Sequence, residues 1–307
     1  MRNSTDHFGR TPLIYCILAD RLNTAKYLIK SGAQIGCVDN HGRSAVHIAA
    51  HKGTTKFLHL LAQKGADFSS ADQDGQTPLH LATNARNHDG SCVKYLLKRL
   101  QPDFIDIKDH HGRCPLHCAA IFANVEAVRV LLKANANPDQ CDELGMTPLH
   151  YAAENPNGVK AAEILLNSAS YALLNWQDHR GRTALHLAIK ESNIDVANLL
   201  IQRKCDVSLS DNKNRSALHW AAQLGRVDFV TNLIKVIWIK AQIVCHLLTY
   251  WYKMLHTTEH SNQIILNQND DTVSSLQKWE ANRHLLTCKF NTNLCQKTKI
   301  FKSKNNI

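Results

Sequence analysis

Apolar residues in the first three quarters of the chain fall into short blocks at helical spacing, separated by polar turns. Val128-Arg-Val-Leu-Leu132 and Val196-Ala-Asn-Leu-Leu200 each put an apolar stripe on one side of a helix. An alanine-rich segment precedes such blocks, as at Ala49-Ala50, Ala119-Ala120, Ala152-Ala153 and Ala221-Ala222, and its small side chains let two helices approach closely. These segments share one kind of start: Gly9-Arg-Thr-Pro-Leu, Gly42-Arg-Ser-Ala-Val-His47, Gly75-Gln-Thr-Pro-Leu-His80, Gly112-Arg-Cys-Pro-Leu-His117, Gly145-Met-Thr-Pro-Leu-His150, Gly181-Arg-Thr-Ala-Leu-His186 and Asn214-Arg-Ser-Ala-Leu-His219. The starts lie 33, 33, 37, 33, 36 and 33 residues apart. A fixed period of this size is the sequence mark of a solenoid, in which no single unit buries its own apolar face.

Each part of the repeated start has a mechanical reason. Thr or Ser at the N-cap offers a hydroxyl to an orphan amide, and proline at the first helical position has no amide to waste. The leucine enters the core, and the histidine is expected to bond toward the neighbouring unit. Gly53, Gly90, Gly158 and Gly225 mark the turn between the two helices of a unit, and Gly32, Gly65 and Asn135 supply left-handed stops after the second. Asp-x-x-Gly (Asp39/Gly42, Asp109/Gly112, Asp142/Gly145, Asp178/Gly181) reads as a hairpin tip leading into the next unit. The longer spacings near Asn87–Gly90 and Tyr171–Leu174 are expected to be surface loops.

Composition adds little. The net charge of +10 splits evenly: nine Lys/Arg against four Asp/Glu from Val236 onward leave +5 for the far longer repeat region. With no basic cluster or aromatic interleaving, nucleic-acid binding is not indicated. Ten cysteines without a Cys-x-x-Cys pair, and no signal peptide before the first repeat, point to a reducing, cytoplasmic setting.

Eighteen histidines invite a metal reading, but His47, His80, His117, His150, His186 and His219 occupy one repeat position and read as structural. Cys114, His117 and Cys118 look like half a zinc site, yet Cys114 replaces the capping threonine and no partner cluster exists. His47 and His51 lack the glutamate of a His-Glu-x-x-His motif. Asp109-His110-His111 stops short of an acyltransferase Asp-His-His-Cys core, because Gly112 follows. Ile201-Gln202 lacks the basic residues a calmodulin-binding motif places downstream. No phosphate loop, nucleophile elbow or paired carboxylates stand out, so the chain reads as a non-enzyme without metal or cofactor.

The Thr-Pro-Leu-His units resemble the ankyrin repeat. That resemblance implies an all-α solenoid of about seven helix–turn–helix units with short β-hairpin tips, spanning residues 1–235, and a concave surface that binds another protein. Partner-binding candidates are the tip residues His41, Asp74, His110, His111, Glu143, His179, Arg180 and Lys213. On the inner helices they are His51, Lys52, Ile121, Phe122, Glu154, Lys190 and Leu224. Ile121-Phe122 is the most suggestive pair, either anchoring a partner or packing on the next repeat.

Two stretches go beyond the generic repeat. Gly9-Arg-Thr-Pro-Leu-Ile-Tyr-Cys-Ile-Leu-Ala-Asp-Arg-Leu22 and Leu173-Leu-Asn-Trp-Gln-Asp-His-Arg-Gly-Arg-Thr183 resemble segments of the inversin (nephrocystin) family. The His-Trp-Ala-Ala of His219–Ala222 fits it too. The resemblance, over roughly Asp6 to Lys235, implies a scaffold in Wnt/planar-polarity and ciliary signalling that binds Dishevelled and nephrocystins. It has about half of that family's expected repeats and lacks its long C-terminal region.

After Lys235 the pattern stops in mid-unit. Three readings of 236–256 stay open. As a membrane helix, its eight Val, Ile or Leu favour insertion by about 2.5–5 kcal/mol. Lys240 and Lys253 cost up to about 2.5–3.5 kcal/mol each if central, so the sum is near zero. An amphipathic cap over 236–260 is favoured instead, since Val244, Leu247, Leu248, Trp251 and Leu255 share a face. The loss of register also fits translated intron sequence. Residues 261–307 are Asn- and Lys-rich with little periodicity and are expected to be poorly ordered. The functional alternative to a soluble scaffold is the ankyrin portion of a membrane protein, a channel or acyltransferase, with 236–256 as its span.

Overall fold

The seven starts generate seven helix pairs. The computed structural model describes residues 3–85 and 89–238. The pairs are α1 (Pro12–Leu18) with α2 (Leu22–Lys30), α3 (Ala45–Lys52) with α4 (Thr55–Ala62), and α5 (Pro78–Thr83) with α6 (Ser91–Leu97). They continue with α7 (Pro115–Ile121) and α8 (Val125–Lys133), α9 (Pro148–Glu154) and α10 (Val159–Ser168), and α11 (Ala184–Lys190) and α12 (Ile194–Gln202). The seventh joins α13 (Ala217–Gln223) to a helix over residues 227–238, α14. The first helices of successive units stack on one another from α1 to α13, and the second helices form a parallel layer from α2 to α12. One continuous apolar core runs between the layers.

The alanines make this stacking possible. Ala49, Ala119, Ala152, Ala188 and Ala221 are fully buried where the layers meet, and Ala50, Ala120 and Ala153 are fully buried one position on. Leu13, Leu79, Leu116, Leu149 and Leu185 fill the space they leave. Each such leucine removed from water is worth about 1.5–3 kcal/mol, so neighbours supply the stability no unit has alone.

The first helices start as the repeated motif dictates. In six units the N-cap and the histidine three residues on form a reciprocal capping box. In the first unit, where Ile14 stands in place of histidine, Thr11 caps alone through the Ile14 amide. The hairpin tips are tight turns, closed by bonds such as Asp72 N to Gln76 O (2.9 Å). Only two of the described tips add a β-bridge, Val38 with Ser44 and Ser210 with Ser216.

One expectation changes. The insertion at 171–174 is not a surface loop: Tyr171–Asn175 forms a short 3-10 helix that buries Leu173 and Leu174 in the core, because apolar side chains there gain more from burial than from solvent. Gly158 lies in the turn before α10 as expected, at φ −79° rather than in the left-handed region, and a Cβ there would overlap the Ala152 carbonyl. The turn position instead carries non-glycine residues at positive φ in three units, Asp20 (57°), Ala123 (49°) and Ser192 (62°). Residues 86–88 and 239–307, and with them the candidate cap, membrane span and tail beyond residue 238, lie outside the described residues. Residues 236–238 continue α14 past the place where the other units turn, in line with the loss of the repeat pattern after Lys235.

Candidate functional site

The repeated histidines are consumed by the scaffold. The His117 Nδ1 accepts from the Cys114 amide (3.1 Å), which leaves Nε2 as the protonated nitrogen, donating to the Met146 carbonyl of the next unit at 3.0 Å. The same bond runs from His47 to Gln76, His80 to Arg113, His150 to Arg182 and His186 to Arg215. Both ring nitrogens of these five histidines are occupied. Burial disfavours their charged form, and it pulls His117 and His150 down to about 4. Cys114 caps α7 through its sulfur, 3.0 Å from His117 Nδ1. Burial pushes the Cys114 thiol up to about 11 and Cys118 to about 12, so neither is a thiolate nucleophile at neutral pH.

The tips are equally well tied. In each unit the tip aspartate accepts two backbone amides through Oδ1, as Asp109 does from His111 and Arg113, both at 2.9 Å. Its other oxygen binds the arginine four residues on in the Asp39–Arg43, Asp109–Arg113, Asp178–Arg182 and Asp211–Arg215 pairs. For Asp39 and Asp109, burial raises the carboxyl's pKa, but the arginine and amide bonds outweigh it and hold the group below its ordinary range. Where Met146 replaces the arginine, Tyr151 reaches back to Asp142 Oδ2 at 2.5 Å. Tyr15 to Asp6 and Trp220 to Asp211 repeat this nine-residue contact. Adjacent tips are joined by one backbone bond each, such as His110 N to Asp74 O (3.0 Å) and His179 N to Leu144 O (3.0 Å). The His110 and His179 side chains approach the preceding tips so closely that a Cβ at Gly75 or Gly145 would collide with them. Both glycines also sit at positive φ, 75° and 74°.

On this fixed ridge, His41, Asp74, His110, His111, Glu143, His179, Arg180 and Lys213 are all exposed, in one row of tips. The inner-helix candidates are more varied. Phe122, 40% exposed, closes α7 beside half-buried Ile121, and Leu224 is 41% exposed at the end of α13. Lys190 links two units, at 3.4 Å from Glu154 and 2.7 Å from Glu191. Half-buried Lys52 is turned inward, donating to the Ile17 (2.8 Å) and Leu18 carbonyls of the first unit, which makes it a structural tie. His51 is half-buried as well.

The sequence places Leu144 among the tips without singling it out, and a second feature was not foreseen from it. Leu144, at a tip, is 54% exposed, and with Phe122 it gives the row an apolar component in the fourth and fifth units. Asn124 and Asn193 cap α8 and α12 while their amide groups bond to the preceding unit, Asn124 to Thr83 O (2.8 Å) and Asn193 to Asn155 O (2.7 Å). Their shared place, ten residues after the N-cap, was the available signal.

Comparison with known proteins agrees with this geometry. The family described as Ankyrin repeats (3 copies) matches residues 1–72, 31–106, 47–142, 84–175 and 171–243. The chain is 40% identical to inversin of Canis lupus familiaris over 216 residues, 69% of this chain and 20% of that protein. It is 32% identical over 244 residues to the human transient receptor potential cation channel subfamily A member 1, covering 76% of this chain and 21% of the channel. Against human NF-kappa-B inhibitor zeta it is 26% identical over 234 residues, 71% of this chain and 31% of that protein. The chain thus spans about a fifth of the length of the inversins it matches.

Proposed function

The chain belongs to the ankyrin-repeat family, and on that premise we propose that its ridge of tips and inner-helix ends docks a partner protein. The observation that carries this reading is the division of labour among side chains. At the interior junctions the repeated histidines and tip aspartates are satisfied within the scaffold, whereas the variable tip residues are exposed on a backbone held by tip-to-tip bonds. A surface whose backbone is already ordered loses little entropy when a partner binds.

Phe122 and Leu144 supply the apolar anchors, in the fourth and fifth units. Around them His110, His111, Glu143, Glu154, His179, Arg180 and Lys190 form a rim of mixed charge that sets orientation and rejects wrong partners. His41, Asp74, Lys213 and Leu224 extend the row at either side. This is binding rather than catalysis: the function is that of a non-enzymatic scaffold.

The likeness to inversin supports a finer reading, an adaptor in Wnt/planar-polarity and ciliary signalling, with Dishevelled and nephrocystins as the first partners to assay. The test compares capture of these proteins by the parent chain, by Phe122→Ala and by an Arg180→Glu/His111→Glu double variant, with unfolding midpoints measured alongside. Loss of capture at an unchanged midpoint supports the docking ridge; a fall in midpoint that accounts for the loss makes Phe122 a packing residue. The membrane alternative turns on residues 236–256. Among the described residues, no helix is long and apolar enough to cross a membrane. Carbonate-resistant retention in membranes would favour that alternative.

A further inference from the structure

The first and seventh units carry the two halves of the array's own internal junction. Every junction from the second unit to the seventh uses the same pair of bonds. A tip amide donates to the carbonyl two residues past the preceding tip's aspartate, as Asn212 N does to Arg180 O (2.9 Å). A histidine Nε2 donates to the carbonyl four residues past the following aspartate, as His186 does to Arg215 O (3.2 Å). At the seventh unit the corresponding groups are the Lys213 carbonyl and His219 Nε2, and neither has a partner among the described residues. At the first unit they are the His7 amide and the Arg10 carbonyl. The His7 amide is unpaired among the described residues, and Arg10 O accepts only the Asp6 amide, as its interior counterparts also do.

The apolar surfaces match in the same way. His219 and Ala222 are exposed, whereas their counterparts His186 and Ile189 are buried by the next unit. At the other end Tyr15 is 47% and Tyr27 71% exposed, against 7% for Ile48 and 8% for Leu60 at the same positions one unit later. The first unit has a following neighbour, so this exposure is the area that a preceding unit would cover.

We propose that the first unit of a second copy of this chain stacks on the seventh unit, continuing the array head to tail. His219 Nε2 of one copy then donates to the Arg10 carbonyl of the next, and the His7 amide of that copy donates to the Lys213 carbonyl. Such a contact joins two different surfaces, so it does not close on itself and propagates into filaments.

The test uses the full chain in sedimentation equilibrium over a wide range of concentration. The parent's average mass is expected to climb past that of two chains. Ala222→Glu blocks one end and Tyr27→Glu the other, both at exposed positions, so each variant alone stays at the mass of one chain. An equimolar mixture of the two forms a dimer and nothing larger, because each supplies the face the other has lost. That dimer also reports that both variants are folded; Ala222→Lys replaces Ala222→Glu if the glutamate lowers the unfolding midpoint. A parent chain that stays at the mass of one chain throughout overturns the proposal and leaves the face to residues beyond 238 or to a repeat of another protein. A parent that halts at a dimer, or folded variants that fail to complement, overturns it as well.

Discussion

His117 donates from Nε2 to the Met146 carbonyl at 3.0 Å, and this bond joins the fourth unit to the fifth through a side chain that also caps its own helix. One residue therefore holds both local and inter-unit structure. His117→Ala removes both roles and leaves buried polar groups unpaired, with an expected loss of about 2–4 kcal/mol. Within a single chain, at a concentration where it is monomeric, His219→Ala removes the cap alone, with an expected loss of about 1 kcal/mol or less. Urea unfolding of the two variants checks the difference; equal losses would remove the inter-unit role.

Acid should destabilise the array before it protonates Asp39 and Asp109, whose carboxyls are held below their ordinary range by arginine and amide bonds. His47, His80, His117, His150 and His186 are all held below the ordinary histidine range, first by desolvation. The unfolded chain thus binds more protons than the folded one once pH drops below about 6.5, and stability falls as pH falls. For His117 and His150 the window runs from the ordinary value down to about 4. Within it both histidines contribute to the loss of stability as the pH falls. Unfolding midpoints at pH 7.5, 6 and 5 check this, and a flat profile would contradict it.

Backbone strain offers a test in the opposite direction. Ala123 sits at φ 49° in the turn where other units use glycine. Ala123→Gly is expected to leave stability unchanged or raise it by up to about 1 kcal/mol, since the relieved strain opposes the added freedom of the unfolded chain. Gly158→Ala is expected to destabilise by more than about 2 kcal/mol, because the new methyl meets the Ala152 carbonyl. Thermal unfolding of both variants distinguishes a positive-φ site from a close-approach site.

Phe122 separates packing from binding. At 40% exposure its truncation is expected to cost about 1 kcal/mol or less in stability. As an interface anchor the same change costs about 2 kcal/mol or more in affinity. Calorimetric titration of a captured partner, with the midpoint measured in parallel, compares the two losses directly.

Period and capping chemistry made the fold legible in the sequence. The Thr-Pro-Leu-His start located the first helices, and the shared place of six histidines exposed their structural role before any contact was visible. What stayed hidden depended on neighbours. The inward turn of Lys52 follows from the nearness of the Ile17 and Leu18 carbonyls, which no residue spacing encodes. Leu173 and Leu174 lie in an insertion, outside the repeat register that located other core residues. Tyr151 takes over from a missing arginine at Asp142, a compensation apparent only once both are seen on one aspartate. The candidate site was readable as a row of variable positions, but the apolar weight of Leu144 needed its exposure to be known.

Hydrogen exchange of the chain with and without a captured partner tests the docking ridge most directly. Added protection is expected at the tips around residues 110–111, 143–144 and 179–180 and at the end of α7 near Phe122, with α8, α10 and α12 unchanged. Protection confined to those second helices, with the tips still exchanging freely, would contradict it.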